Sequence, residues 1–231
     1  MENPQAFLSS PDLFLKHSEV ATIARVPSDH PLKPGLVLRR LNYGRALDRL
    51  RDTFRPSRVR RAMANALELQ EAGIPTPTPL AATEVRSLGV PLEAYLITEE
   101  VPGARTLGKL FADNRRRIPR AAVLRLADIL ALLHQRGFAH RDLKWSNILW
   151  DRDLQPYLID LDGMKKRRKV SYSLALADLA RLGRQAVPHP NFLKHTGARF
   201  LRRYCQQRGV EGQFRRWWED LGREITARFG A

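Results

Sequence analysis

His140-Arg141-Asp142-Leu143-Lys144-Trp145-Ser146-Asn147 is the stretch that decides the fold of this 231-residue chain. Immediately downstream, Ile148-Leu149-Trp150 and Tyr157-Leu158-Ile159 are two short apolar runs. The segment between them, Asp151-Arg152-Asp153-Leu154-Gln155-Pro156, has the Asp and Pro content of a polar hairpin turn. The second run leads into two carboxylates and a glycine, Asp160-Leu161-Asp162-Gly163. A polar loop, a hairpin and a second acidic loop therefore follow one another within 24 residues.

That order matches the H-R-D-L-x-x-x-N catalytic loop and the D-F-G metal loop of protein-kinase-like phosphotransferases. The chemistry explains the spacing. Transfer of a γ-phosphoryl group needs a carboxylate to orient the attacking hydroxyl and take its proton, here Asp142. It needs oxygen ligands that hold Mg²⁺ against the phosphates, for which Asn147 and Asp160 stand at the expected positions. Lys144, two residues past Asp142, is suited to neutralise charge on the transferred phosphoryl oxygens. His140 is expected to hold the loop rather than react, because the Asp is the base. Arg141 stands where a phosphorylated loop is often clamped, with Ser171, Tyr172 and Ser173 as candidate targets.

Composition fits one folded domain of two small lobes: 43% of residues are hydrophobic and 28% charged. A single cysteine, Cys205, excludes an internal disulfide framework and a cysteine-rich metal site, and reads as an idle thiol. Met1-Glu2-Asn3-Pro4-Gln5 lacks the basic start of a signal peptide, and no apolar run approaches the roughly 20 residues of a membrane span. A cytoplasmic location is expected. The net charge of +16 predicts attraction to an anionic partner. Nucleic acid is disfavoured, since no recognition helix, zinc site or aromatic platform is present.

The expected fold class is α+β, with residues 1–102 forming an N-lobe of antiparallel sheet and one helix, and residues 103–231 a mainly helical C-lobe. Phe14-Leu15-Lys16 and residues 21–26 read as strands that would roof the ATP phosphates. No glycine occurs from residue 1 to 34, so Ser18 and backbone amides would have to contact the nucleotide. After the Pro31–Gly35 turn, Leu36-Val37-Leu38-Arg39-Arg40-Leu41 stands where V-A-I-K delivers a lysine to the phosphates. Arg39, or alternatively Arg40, occupies that position. Residues 58–72 repeat apolar side chains at helical spacing. The Glu that would pair with the strand lysine falls on Ala62, while Glu68 and Glu71 read as surface residues. Residues 94–98 form a buried strand leading to a hinge at Glu99–Val101, where backbone groups would bond an adenine edge.

In the second half, residues 119–136 carry the clearest helical stripe, opened by Pro119 and closed by Gly137. His134 reads as a packing or capping residue. Lys165, Lys166, Arg167, Arg168 and Lys169 are five consecutive cations in the position of a substrate-binding loop, the first four being candidate contacts for an anionic acceptor. Residues 174–184 read as a helix whose Asp178 braces the catalytic-loop backbone. Phe214, Trp217, Trp218, Leu221, Ile225 and Phe229 share one side of a closing helix, either packed on the C-lobe or lying on an anionic membrane face.

The chain resembles the bacterial lipopolysaccharide core kinases, the Kdo and heptose kinases. The resemblance rests on Leu36-Val37-Leu38-Arg39-Arg40-Leu41-Asn42, Glu71-Ala72-Gly73-Ile74-Pro75-Thr76-Pro77, residues 140–149 and Leu158-Ile159-Asp160-Leu161-Asp162. It implies a compact kinase fold, ATP and Mg²⁺ as cofactors, and phosphorylation of a core-sugar hydroxyl on an anionic glycolipid at the cytoplasmic face of the inner membrane. Within that family Arg39 departs from the usual lysine. Two other readings are carried: a compact atypical Ser/Thr protein kinase, and a pseudokinase that docks partners without chemistry.

Overall fold

The computed structural model describes residues 14–17, 21–26, 35–42, 53, 56–113 and 118–230. Ser18, the N-terminal residues 1–13 and residues 31–34 of the expected turn lie outside the described residues. The chain forms two compact units, Met1–Glu68 with Pro77–Pro102, and Leu69–Thr76 with Gly103–Ala231. The expected boundary at residue 102 is therefore crossed by one segment: Leu69–Thr76 belongs with the second unit.

The first unit is a five-stranded antiparallel sheet in the order β1-β2-β3-β5-β4, made of β1 (Phe14–His17), β2 (Ala21–Val26), β3 (Leu36–Asn42), β4 (Pro79–Ser87) and β5 (Val90–Glu99). One helix, α1 (Arg58–Glu71), accompanies it. Period-two alternation puts Leu41, Ala94 and Leu96 on one sheet face, where they bury with Val59 and Ala62 of α1, Met63 and Ala82 packing at the margin. Ser57 caps α1, its Oγ accepting the Arg60 amide at 3.4 Å and its carbonyl accepting the Arg61 amide at 3.0 Å. The same Oγ donates to Glu84, which also pairs with Arg60 and Arg86. Burial would push the Glu84 carboxyl up, but Ser57 and the two guanidiniums hold it below its ordinary value.

The second unit holds β6 (Arg105–Thr106), α2 (Leu107–Asp113), α3 (Arg120–Gln135), β7 (Phe138–Ala139), β8 (Ile148–Trp150), β9 (Pro156–Leu158), β10 (Lys165–Lys166) and α4 (Tyr172–Arg184). Helices α5 (Ala198–Gln207) and α6 (Phe214–Phe229) close it. The β8–β9 hairpin forms one residue earlier than the apolar run suggested, pairing Ile148 with Leu158 and Trp150 with Pro156. Its turn explains the register: Asp151 Oδ1 accepts the amides of Asp153 at 2.9 Å and Gln155 at 2.8 Å. Helix α4 starts at Tyr172, not at residue 174, because Ser171 Oγ accepts the Leu174 amide at 3.3 Å and extends the first turn. Of the three candidate hydroxyl targets, Ser171 is thus a helix cap, and Tyr172 Oη donates to Asp220 at 2.6 Å. Burial and that carboxylate push the Tyr172 phenol up to about 12.

Trp217 of α6 is buried with its ring 4.4 Å from that of Tyr172 and 5.5 Å from that of Tyr204. The arginines of α6 pair along the helix, Arg215 with Glu219, Arg216 and Arg223 with Asp220, and Arg228 with Glu224. An apolar cavity in this unit is walled by Leu182, Phe192, Phe200, Trp218 and, from the 140–147 loop, Trp145. Cys205 is buried, which pushes its thiol up to about 11 and leaves it unreactive. Among the described residues no helix is long and apolar enough to cross a membrane. The positive charge is concentrated here: residues 103–231 carry 27 Lys and Arg against 12 Asp and Glu, +15 of the total +16.

Candidate active site

The site is assembled where α3 ends. Gly137, with φ +89°, turns the chain out of the helix, and a Cβ on it would lie 2.1 Å from the Arg167 carbonyl oxygen. The close approach is productive, because the Arg167 amide donates to Gly137 O at 2.8 Å and β10 pairs with β7 alongside. The chain then enters the 140–147 loop.

His140 is fully buried, and it ties the loop to three places. Its amide donates to Asp178 Oδ2 at 2.7 Å, and the next amide, of Arg141, donates to Oδ1 at 2.8 Å. Its ring Nε2 meets the Ile159 carbonyl at 3.1 Å, while the Asp142 amide points at Nδ1 from 3.4 Å. A carbonyl opposite one nitrogen and an amide opposite the other assign the ring proton to Nε2. Arg141 sits in the left-handed region at φ +69°, an arrangement its two fixed neighbouring amides enforce. Its guanidinium donates to the Gly163 carbonyl at 3.3 Å, so in this structure it braces the acidic loop.

Asp142 is half exposed, its side chain 50% accessible. Lys144 Nζ lies 2.7 Å from its Oδ2, and Asn147 Nδ2 donates to the same oxygen at 3.0 Å and to the Asp142 carbonyl at 2.9 Å. With its amino group so used, Asn147 turns its Oδ1 to other partners. The Ile159 amide donates to the Asn147 carbonyl at 3.0 Å, which sets the two loops side by side and carries the chain directly into Asp160. Asp160 is itself left-handed at φ +64° and opens the short turn Leu161–Gly163. Arg141 and Asp160 are thus two non-glycine residues held in the left-handed region within one site.

An amide oxygen and a carboxylate are hard donors of the kind Mg²⁺ takes, one or two protein oxygens being completed by waters and phosphates. Asn147 and Asp160 fit that ion. Among the described residues no group of three His, Cys, Asp or Glu forms an all-protein metal cage.

Asp178 is buried, and burial alone would raise its carboxyl. His134 first, then His140 and the Arg141 amide, hold it below its ordinary value. Arg181 pairs with it at 3.2 Å.

In the first unit, register places the two arginines on opposite faces of the sheet. Arg39 is paired in β3 with Ile23 and Leu96 and lies on the sheet face that carries Leu41 and Leu96. Arg40 falls on the opposite face and pairs with Glu93 at 2.9 Å. Ala62 is buried in the cluster on the Arg39 side. Glu68 is half-buried rather than on the surface as expected; Glu71 is exposed. At the hinge two of the backbone donors are engaged within the unit. The Glu99 amide donates to Thr78 O at 2.9 Å and the Glu100 amide to Gly35 O at 2.7 Å, so sheet pairing has already consumed both donors. Val101 is buried. Of the basic run, Lys165 and Lys166 form strand β10 instead of a loop, and Arg167 is anchored on Gly137. All four side chains, Lys165 to Arg168, stay exposed.

Two sets of contacts in the site have no counterpart in the sequence reading. Residues 74–76 stood only within the Glu71–Pro77 stretch that carries the resemblance, yet Pro75 O accepts the Leu158 amide at 3.0 Å and Thr76 Oγ1 donates to the Leu158 carbonyl at 2.8 Å. A threonine between two prolines, with no helix to continue, was the available signal. The second is Tyr204, whose hydroxyl lies 2.6 Å from His134 Nδ1 in the core.

This order of sheet, helix, H-R-D loop, hairpin and acidic turn defines a protein-kinase-like protein. The architecture is matched by the solved structure of WaaP in complex with acyl carrier protein, with a TM-score of 0.64 over 98% of this chain and 93% of that one, at 22% identity. The chain belongs to the lipopolysaccharide kinase (Kdo/WaaP) family, whose model matches residues 38–204. It is similar to the 3-deoxy-D-manno-octulosonic acid kinase of Vibrio parahaemolyticus, 33% identical over 101 residues, 44% of this chain and 41% of the relative. The enzyme of that name from Stenotrophomonas maltophilia is 35% identical over 118 residues, 51% of this chain and 43% of the relative. The chain thus spans about two fifths of the length of the curated relatives it matches.

Proposed function

We propose that this protein is an ATP-dependent phosphotransferase acting on a sugar hydroxyl of the lipopolysaccharide core. The observation that carries the reading is Asp142, a half-exposed carboxylate held at one oxygen by Lys144 and Asn147 beside the loop that bears Asp160. Asp142 orients the acceptor hydroxyl and takes its proton as the new P–O bond forms. Lys144, already at the carboxylate, stabilises charge on the phosphoryl oxygens. Asn147 and Asp160 would hold Mg²⁺, which would supply charge neutralisation for the nucleotide phosphates. In the first unit, Arg39 is the phosphate contact, and backbone groups of the Glu99–Val101 hinge bond the adenine edge.

The acceptor follows from charge. Lys165, Lys166, Arg167 and Arg168 are exposed on a segment fixed to the catalytic loop, which suits a sugar bearing carboxylates or phosphates. The +15 charge of the same unit favours a peripheral position at the anionic inner membrane face. The relative solved with acyl carrier protein suggests an acyl-bearing protein as a further partner, for which the apolar cavity beside Trp145 is the place to test. Arg39 and the buried Ala62 favour one other reading, a pseudokinase.

Mg²⁺-dependent ATP turnover by the purified protein, with core glycolipid present or absent and Asp160→Ala as control, separates the two. Turnover that requires both glycolipid and Asp160 supports the kinase. Absence of turnover together with absence of ATP binding sinks it.

A further inference from the structure

A buried polar chain runs from the C-terminal helices to the catalytic loop, and its far end is Tyr204. The phenol is inaccessible to solvent, yet its Oη touches two polar groups: Arg208 Nη1 donates to it at 3.3 Å, and His134 Nδ1 lies at 2.6 Å. Arginine can only donate, so the phenolic proton is left for Nδ1. The His134 ring proton is then on Nε2. That nitrogen is buried, makes no hydrogen bond of ordinary length, and faces Asp178 Oδ2 at 3.5 Å. The Asp178 carboxylate in turn holds the amides of His140 and Arg141, and the left-handed Arg141 aims Asp142.

Removing the phenolic oxygen would strand Nδ1 as an unsatisfied buried acceptor. The ring would regain a partner only by moving, and that response disturbs the Asp178 carboxylate that holds the two loop amides. Tyr204 touches neither nucleotide nor acceptor in this arrangement; it acts through His134 and Asp178.

We propose that Tyr204 is a positioning residue for phosphoryl transfer, setting the catalytic loop through His134 and Asp178. The inference rests on the kinase reading for its rate consequence, but its structural half stands apart from it. A control is available between the same two helices: Arg203 of α5 pairs with Asp128 of α3 at 2.6 Å, away from the chain.

The test compares Tyr204→Phe with Arg203→Gln by steady-state kinetics and by amide hydrogen exchange at His140 and Arg141. Tyr204→Phe is expected to lower kcat about three- to tenfold with an unchanged KM for ATP, the loss of one buried hydrogen bond. It should also speed exchange at the two loop amides. Arg203→Gln should leave both readings at the wild-type level. His134→Gln, which keeps one donor and one acceptor, should fall between wild type and Tyr204→Phe, and it serves if Tyr204→Phe does not fold. Wild-type kcat and exchange in Tyr204→Phe would overturn the proposal, as would equal effects of Arg203→Gln. If wild-type protein turns over no ATP, the kinase reading fails, and the exchange comparison still decides whether Tyr204 holds the loop.

Discussion

Asp142 and Lys144 form one ion pair, to which the proposed function gives two separate roles. The pair is half exposed, so its contribution to stability is small. Asp142→Asn is expected to lower kcat about 10²- to 10⁴-fold with the melting temperature nearly unchanged, measured by turnover and thermal unfolding on the same preparation. Arg39 poses a different question. Its guanidinium is planar and forked where kinases place a point charge, so Arg39→Met should weaken ATP binding, and Arg39→Lys should not simply restore it. Titration with a fluorescent nucleotide reads both. At this scale the sequence was informative wherever partners are neighbours in the chain: Asp142, Lys144 and Asn147 contact one another within six residues. It was silent on the Glu99 amide, because strand pairing that begins 21 residues earlier at Thr78 decides whether that donor is available.

Among the elements, α3, β7 and β10 act as one device. The helix ends where Gly137 admits the Arg167 carbonyl, and the basic segment is thereby clipped to the strand that feeds the catalytic loop. Gly137→Ala should destabilise the protein by about 2 kcal/mol or more, since both the positive φ and the space forbid a side chain. Chemical denaturation would measure it, and a loss below about 0.5 kcal/mol would show that the clip is not tight. The helices themselves were readable from apolar spacing and from Pro119 and Gly137. The packing of α5 against α3 was not, because Tyr204 and His134 stand 70 residues apart and only the folded core brings them together. A buried tyrosine on a helix carries no sign of its partner.

On the scale of the whole molecule, charge and protons give two measurable consequences. The +15 of residues 103–231 should make the KM for an anionic acceptor rise steeply with ionic strength, while the KM for ATP, already paired with Mg²⁺, changes less. Initial rates across a salt series test this. The second consequence concerns acid. Burial lowers the His134 ring below its ordinary value of 6.5, against the pull of Asp178. Above 6.5 the ring is neutral in both folded and unfolded chains, and its contribution to stability is fully present. As pH falls below that, the unfolded chain takes up a proton the folded core resists, so stability drops. Asp178 has the same sign in a lower window, below its ordinary value of 3.8. Thermal unfolding should therefore show a falling melting temperature from about pH 6.5 to 5, and His134→Gln should flatten that arm.

The placement of Leu69–Thr76 bears on how such a protein can be taken apart. A boundary drawn after residue 102 would give a C-terminal fragment Asp142, Asn147 and Asp160, yet leave behind the strip that pairs with Leu158 two residues before Asp160. The chain threads out of the first unit, lends eight residues to the second, and returns. Its halves are consequently not interchangeable cassettes: a chimera with a relative must move residues 69–76 together with residues 103–231 to keep the acidic loop in place.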